Sequence, residues 1–320
     1  WTNQQGGRLM FYHDHAYGMT GLNVYGGEAA GYLLVDPAEE TTLATAGVPG
    51  TVPADLGHLI PLVIQDKTFV SSTTATTDPL WDSTNWGGIG NLWFPHVYMP
   101  NQDPNDLSGA NPLGRWDYGP WFWPIFPVAS PYPPAVSHVP EAFMDTPVVN
   151  GTAYPYLNVN PEKYRLRILN ASNDRMLNLQ LYQADPLGFA VTDSLGNPRG
   201  TEVKMVPAVP NPLIPFPPVW LTQTPGMIPD ILDSRPSGVP DPTLRGPAMI
   251  QIGTEGGILP GPVVLPNTPV GFEQNKRNIV VLNVVEKTLF MAPAERADVI
   301  VDFTNFAGKT IILYNDSPAP

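Results

Sequence analysis

The chain has 320 residues, 42% of them hydrophobic, enough to bury one large core or two modest ones. Its 29 acidic and 16 basic residues leave a formal charge of −13, which repels nucleic acid and anionic lipid and supplies no basic patch for phosphate. There is no cysteine, so disulfides and thiolate metal ligands are excluded within the chain, and no run of about 18 apolar residues marks a transmembrane segment. The opening residues, Trp1-Thr2-Asn3-Gln4-Gln5, have none of the features of a signal peptide, so the chain is expected to be cytosolic or to lack its original N-terminus.

Forty prolines and 29 glycines leave little room for long helices, and short antiparallel strands are predicted instead. In chain order, an extended segment carries Phe11-Tyr12-His13-Asp14-His15. Strands rich in β-branched or alternating residues follow at 60–66, 164–169, 279–285, 297–303 and 310–314, each bounded by turn residues. Asn150-Gly151 predicts a tight turn, because both residues tolerate positive φ. Two stretches break this rhythm. Residues from about 71 to 140 hold six of the eight tryptophans, and those from about 185 to 247 are dense in proline, as in Pro215-Phe216-Pro217-Pro218. Both are too long for ordinary connections, so they are read as insertions lying over the sandwich or against a neighbour.

Only five histidines are present: His13, His15, His58, His96 and His138. In a strand, His13 and His15 project from one face, roughly 6.6 Å apart, which suits two metals better than one. Imidazole serves copper, zinc, iron and nickel alike, and Asp14 would point away as a hydrogen-bond acceptor or toward solvent. As a bare pattern this remains open between a metal site and a satisfied polar turn or hydrogen-bonded pair. His58 opens a predicted strand and reads as structural, while His96 and His138 receive no role. The nine methionines are scattered and read as core filling.

The surroundings of the pair narrow the choice. The run from Met10 through Gly18-Met19-Thr20-Gly21-Leu22-Asn23-Val24-Tyr25-Gly26-Gly27 to Val35-Asp36-Pro37 closely resembles the end of the first cupredoxin domain of multicopper oxidases. The nearest branch is that of the bacterial spore-coat laccases, bilirubin oxidases and phenoxazinone synthases. Val148-Val149-Asn150-Gly151, with Tyr164-Arg165-Leu166-Arg167-Ile168-Leu169-Asn170 downstream, is similar to the opening of that branch's second domain. Gln251-Ile252-Gly253-Thr254-Glu255-Gly256-Gly257 and Met291-Ala292-Pro293-Ala294-Glu295-Arg296-Ala297-Asp298 resemble its later strands.

The resemblance implies an all-β fold of cupredoxin-like Greek-key β-sandwiches. Residues 1–37 would close a first cupredoxin domain, 38–55 would be a linker, and 56–320 a second domain with insertions at about 71–140 and 185–247. It implies that His13 and His15 are ligands of a type 3 copper pair, one imidazole to each metal, beside a type 2 copper in a cluster that reduces dioxygen to water. No catalytic residue beyond these ligands is implied in the chain. In place of acid–base chemistry, an ion pair near the end of the sandwich is expected of Glu295, Arg296 and Asp298.

The family's earlier His-x-His segment, its later histidine-rich segment and its His-Cys-His segment with the type 1 copper cysteine have no counterpart here. The chain is therefore expected to be inactive alone and to need missing N- and C-terminal segments or a companion chain. The function so implied is laccase-like oxidation of phenolic or similar one-electron donors. Oxidation of Mn(II) or Fe(II) is the alternative within the family, toward which the acidic charge leans. A non-catalytic scaffold or interaction module is the alternative outside it. Export to the periplasm, cell surface or medium is a further implication of the resemblance.

Overall fold

The computed structural model describes residues 2–17, 19–73, 82–92, 96–97, 137–138, 144–192, 196, 198–206, 238–272 and 284–317. Most of the two expected insertions, including Trp81, Trp93, Trp116, Trp121 and Trp123, and most of the strand predicted at 279–285 lie outside these residues.

The chain opens with an antiparallel hairpin of β1 (Arg8–His13) and β2 (Ala29–Leu34), its strands joined through helix α1 (Thr20–Gly26). Helix α2 (Pro37–Thr45) then begins where Asp36 accepts the Ala38 and Glu39 amides and Pro37 supplies a pre-set φ at the first position. Gly47 stops it at a positive φ of 80°. The stretch 38–55 thus carries most of a capped helix and the start of a 3-10 turn (Pro53–His58).

Ten further strands form two layers. These are β3 (Leu59–Lys67), β4 (Thr146–Val149), β5 (Thr152–Ala153), β6 (Lys163–Asn170), β7 (Leu177–Gln183), β8 (Met249–Thr254), β9 (Gly257–Leu265), β10 (Leu289–Met291), β11 (Arg296–Asp302) and β12 (Ile311–Asn315). Seven pair in the order β9-β8-β11-β6-β3-β4-β5, with β3 and β6 parallel and the other neighbours antiparallel; β10-β7-β12 form the second sheet. The predicted turn joins β4 to β5, with φ of 49° at Asn150 and 82° at Gly151. Four two-stranded pairs, among them His96–Val97 with Ser137–His138, complete the described strands besides the hairpin β1-β2.

Alternation dictates the packing. Tyr164, Leu166 and Ile168 of β6 and Ala297, Val299 and Val301 of β11 face Leu177, Leu179 and Leu181 of β7 across the core. Each fully buried aliphatic side chain there contributes roughly 1.5–3 kcal/mol. The class is the expected all-β sandwich, and none of its described helices is long and apolar enough to cross a membrane.

The opposite face of β6 is not left to water. Arg165 and Arg167 are 0% and 1% exposed, because hairpin β1-β2 and helix α2 lie over that face. The register places Asp298 of β11 opposite Arg167 and two residues from Arg165's partner, Ile300. Asp298 accepts from both guanidiniums at 2.7–3.1 Å, and Glu40 of α2 takes the remaining contacts, at 2.7 Å from Arg165 and 3.0 Å from Arg167. Burial alone pulls the Arg165 guanidinium down, yet the hydrogen bonds and charges of Asp298 and Glu40 outweigh it and hold the group above the usual arginine value. Two cations and two anions thus weld the segment before residue 46 to the sandwich. Asp298 is accordingly a structural carboxylate, as expected, though its partners come from β6.

Candidate metal centre

The last residue of β1 is His13, paired with Ala29 of β2, and the chain leaves the strand immediately after it. The exit is fixed locally. The Asp14 amide donates to the Glu28 carbonyl at 3.0 Å, while the Asp14 carboxylate accepts from the Ala16 amide and the Asn23 side-chain amide, both at 3.0 Å. The Ala16 amide bond, then the Asn23 bond, hold the Asp14 carboxyl below its ordinary value, so it is ionised at neutral pH. Its carboxylate therefore serves the turn rather than the imidazoles.

Although His15 lies beyond the strand, the expected shared face is kept. The rings of His13 and His15 stack with centroids 5.8 Å apart and planes 26° apart, and Phe11 continues the ladder at 5.2 Å from His13. Both histidines are exposed. The His13 Nδ1 lies 2.6 Å from the Asp14 carbonyl oxygen, which can only accept, so Nδ1 carries the proton. In the neutral ring the lone pair is then on Nε2, the tautomer that a backbone acceptor imposes on metal-binding histidines.

The donor set fits copper as part of a site. Two parallel imidazoles, one nitrogen each, suit two neighbouring metals, and imidazole is a good ligand for copper. Among the described residues no group of three or more His, Cys, Asp or Glu side chains converges to hold a metal, so further ligands would have to come from elsewhere.

The other histidines are not brought to this centre. His58 ends the 3-10 turn, with Nε2 2.7 Å from Glu162, Nδ1 facing the Asp55 carboxylate, and its ring 4.9 Å from that of Tyr164. With an acceptor at each nitrogen the imidazolium is favoured. Its pKa is raised, chiefly by the Glu162 hydrogen bond and then by Asp55, against the opposing pull of burial. A raised value means that His58 contributes stability fully below its unfolded pKa of about 6.5 and loses it as pH rises through the folded value. The difference in unfolding midpoint between wild type and His58→Gln should therefore be largest below the unfolded pKa of about 6.5 and narrow as pH rises through the raised folded value; a pH-independent difference would refute this reading. His96 and His138 sit opposite each other on a short strand pair, and the side chains there lie outside the described residues.

Comparison with known proteins places the centre in context. No family model matches the chain. It is 27% identical over 317 residues to a laccase from Bacillus subtilis, covering 99% of this chain and 35% of that protein. A laccase from Bacillus stratosphericus gives 27% over 317 residues, 99% of this chain and 36% of the relative. The bilirubin oxidase of Albifimbria verrucaria is 24% identical over 188 residues, or 58% of this chain and 22% of the enzyme. Among solved structures, the multicopper oxidase McoA from Aquifex aeolicus aligns with a TM-score of 0.46 at 22% identity, covering 97% of this chain and 37% of that one. The chain spans about a third of the length of the laccases it matches. Along 99% of its length, the chain is thus similar in sequence to bacterial laccases.

Proposed function

We propose that this chain forms the central part of a copper-dependent, laccase-like oxidase, in which His13 and His15 each give one imidazole to a type 3 copper pair. The observation that carries the reading is the stacked, exposed pair of rings at 5.8 Å, with the Nε2 of His13 left free by its Nδ1 bond to the Asp14 carbonyl. Bound copper supplies one-electron redox chemistry that couples oxidation of a donor to reduction of dioxygen to water.

The chain's own part is positional. β1 and β2 hold His13 at a strand end, the Asp14 turn returns His15 to the same face, and the fixed proton on Nδ1 keeps His13 in the ligating tautomer. The remaining ligands, with the type 2 and type 1 coppers, are assigned to segments beyond 1–320 or to a companion chain. Residues 1–37 are assigned to the close of a first cupredoxin domain and 56–320 to a second.

The test is dioxygen uptake by the copper-loaded full-length protein with a phenolic donor. Uptake that depends on copper and on donor supports the reading; a loaded protein that consumes no dioxygen with phenols, Mn(II) or Fe(II) refutes it. The formal charge of −13 favours approach of cations, so Mn(II) or Fe(II) oxidation is the second reading, separated by which donor drives uptake.

A further inference from the structure

The histidine pair stands at the far end of the hairpin from the welded charges, so something else has to set its height above the sandwich. The weld acts near Leu34 and Glu40, with the Arg296 guanidinium adding a bond to the Leu9 carbonyl at 3.2 Å. Helix α1, which follows the histidines, has a single buried residue, Tyr25, at 3% exposure.

Tyr25 is gripped from two sides by the end of β3. Its hydroxyl accepts the Thr68 amide at 2.7 Å, and the Lys67 ammonium lies 4.5 Å from the centre of its ring. The same ammonium donates to the Tyr25 carbonyl in the last turn of α1, where the helix dipole favours a cation. Lys67 and Thr68 are themselves buried, and the preceding Asp66 is fastened by the Met144 and Asn173 amides at 2.9 Å each. Burial pushes the Lys67 ammonium down to about 8, so the charge is harder to hold there than in water, and the neighbouring Asp66 carboxylate acts in its favour.

From Tyr25 the connection to the histidines is short. Asn23, two residues earlier on α1, donates to the Asp14 carboxylate, and the Glu28 carbonyl just past the helix accepts the Asp14 amide. Asp14 lies between His13 and His15 and supplies the carbonyl that orients His13.

We infer that Tyr25 and Lys67 are positioning residues for the histidine pair: they lock α1 to the buried end of β3 and thereby fix where His13 and His15 meet ligands from the rest of the protein. The inference rests on the proposed role of the two histidines as copper ligands. Neither residue touches the metal; both act through α1 and Asp14.

The test is the Cu(II) dissociation constant of the full-length protein, measured against a competing chelator at a temperature where every variant is folded. Tyr25→Phe removes the hydroxyl bond while keeping the ring, and Lys67→Met removes the charge while keeping the length. Each should weaken binding about 10-fold or more. Lys67→Arg, which keeps a cation over the ring, should stay within about threefold of wild type. Leu313→Ala, in the core but away from α1, should lower the unfolding midpoint without weakening copper binding.

Wild-type affinity in Tyr25→Phe and Lys67→Met overturns the inference, as does an equal loss in Leu313→Ala. His13→Ala separates the two levels of the argument. If it abolishes binding while Lys67→Met leaves it intact, the ligand reading stands and the positioning role falls. If His13→Ala binds like wild type, both fall.

Discussion

Replacing Glu40 with glutamine should cost about 3–5 kcal/mol of folding stability, read as a fall in the urea midpoint at unchanged slope. Glu40 and Asp298 together neutralise Arg165 and Arg167, whose side chains are 0% and 1% exposed. With Glu40 neutral, two guanidiniums share one carboxylate in a site that is more than nine-tenths buried, and the surplus charge is left uncompensated. The size of the effect follows from the uncompensated ion rather than from the strength of the pair. Exchanging all four residues for apolar side chains of similar volume should therefore be close to neutral or stabilising. A loss below about 1 kcal/mol for Glu40→Gln would show that the site admits water, as an exposed ion pair does. Lysine should not replace either arginine, because each guanidinium bridges both carboxylates and a single ammonium lacks that planar, forked set of donors.

Much of the sandwich was legible in the sequence, for a physical reason. The strands predicted at 60–66, 164–169, 297–303 and 310–314 appear as Leu59–Lys67, Lys163–Asn170, Arg296–Asp302 and Ile311–Asn315. Each packs a β-branched or leucine-rich face on the core, and that pattern is local. The Asn150-Gly151 turn was equally local, since positive φ at both positions is a property of those two residues.

Strand Leu177–Gln183 escaped the sequence reading despite the alternation of LNLQLYQ. Its polar members are of types usually found in water, yet Asn178 and Gln180 are 0% exposed and donate to Asp316 at 2.8 and 2.7 Å. The alternating arginines of β6 pose the same problem. Periodicity separates the two faces of a strand, but what covers the second face depends on contacts from residues more than a hundred positions away. Helix α2 was missed although Asp36-Pro37 and the acidic pair Glu39 and Glu40 form an N-terminal signature that could have revealed it.

The candidate site was legible in a different sense. Spacing alone left His13 and His15 open between a metal site and a polar turn, and only the flanking resemblance selected copper. The strand assumed for both holds for His13 alone, and the shared face survives because the Asp14 turn brings His15 back beside it. Of the positioning groups, Tyr25 lies within the run that carries the resemblance, but nothing in the sequence links it to Lys67. They are 42 residues apart in sequence and meet only in the fold.

Exchanging His13 for alanine is the second large-effect change and the most direct test of the account. An imidazole that supplies one nitrogen to a copper cannot be replaced by a methyl group, and His15 alone offers no second donor on that side. The measurement is copper content together with dioxygen uptake, made on the folded full-length protein under saturating donor. In His13→Ala, bound copper should fall below the wild-type stoichiometry and uptake should drop by about 100-fold or more. Wild-type copper content with undiminished uptake would contradict the assignment of His13 and His15 as copper ligands.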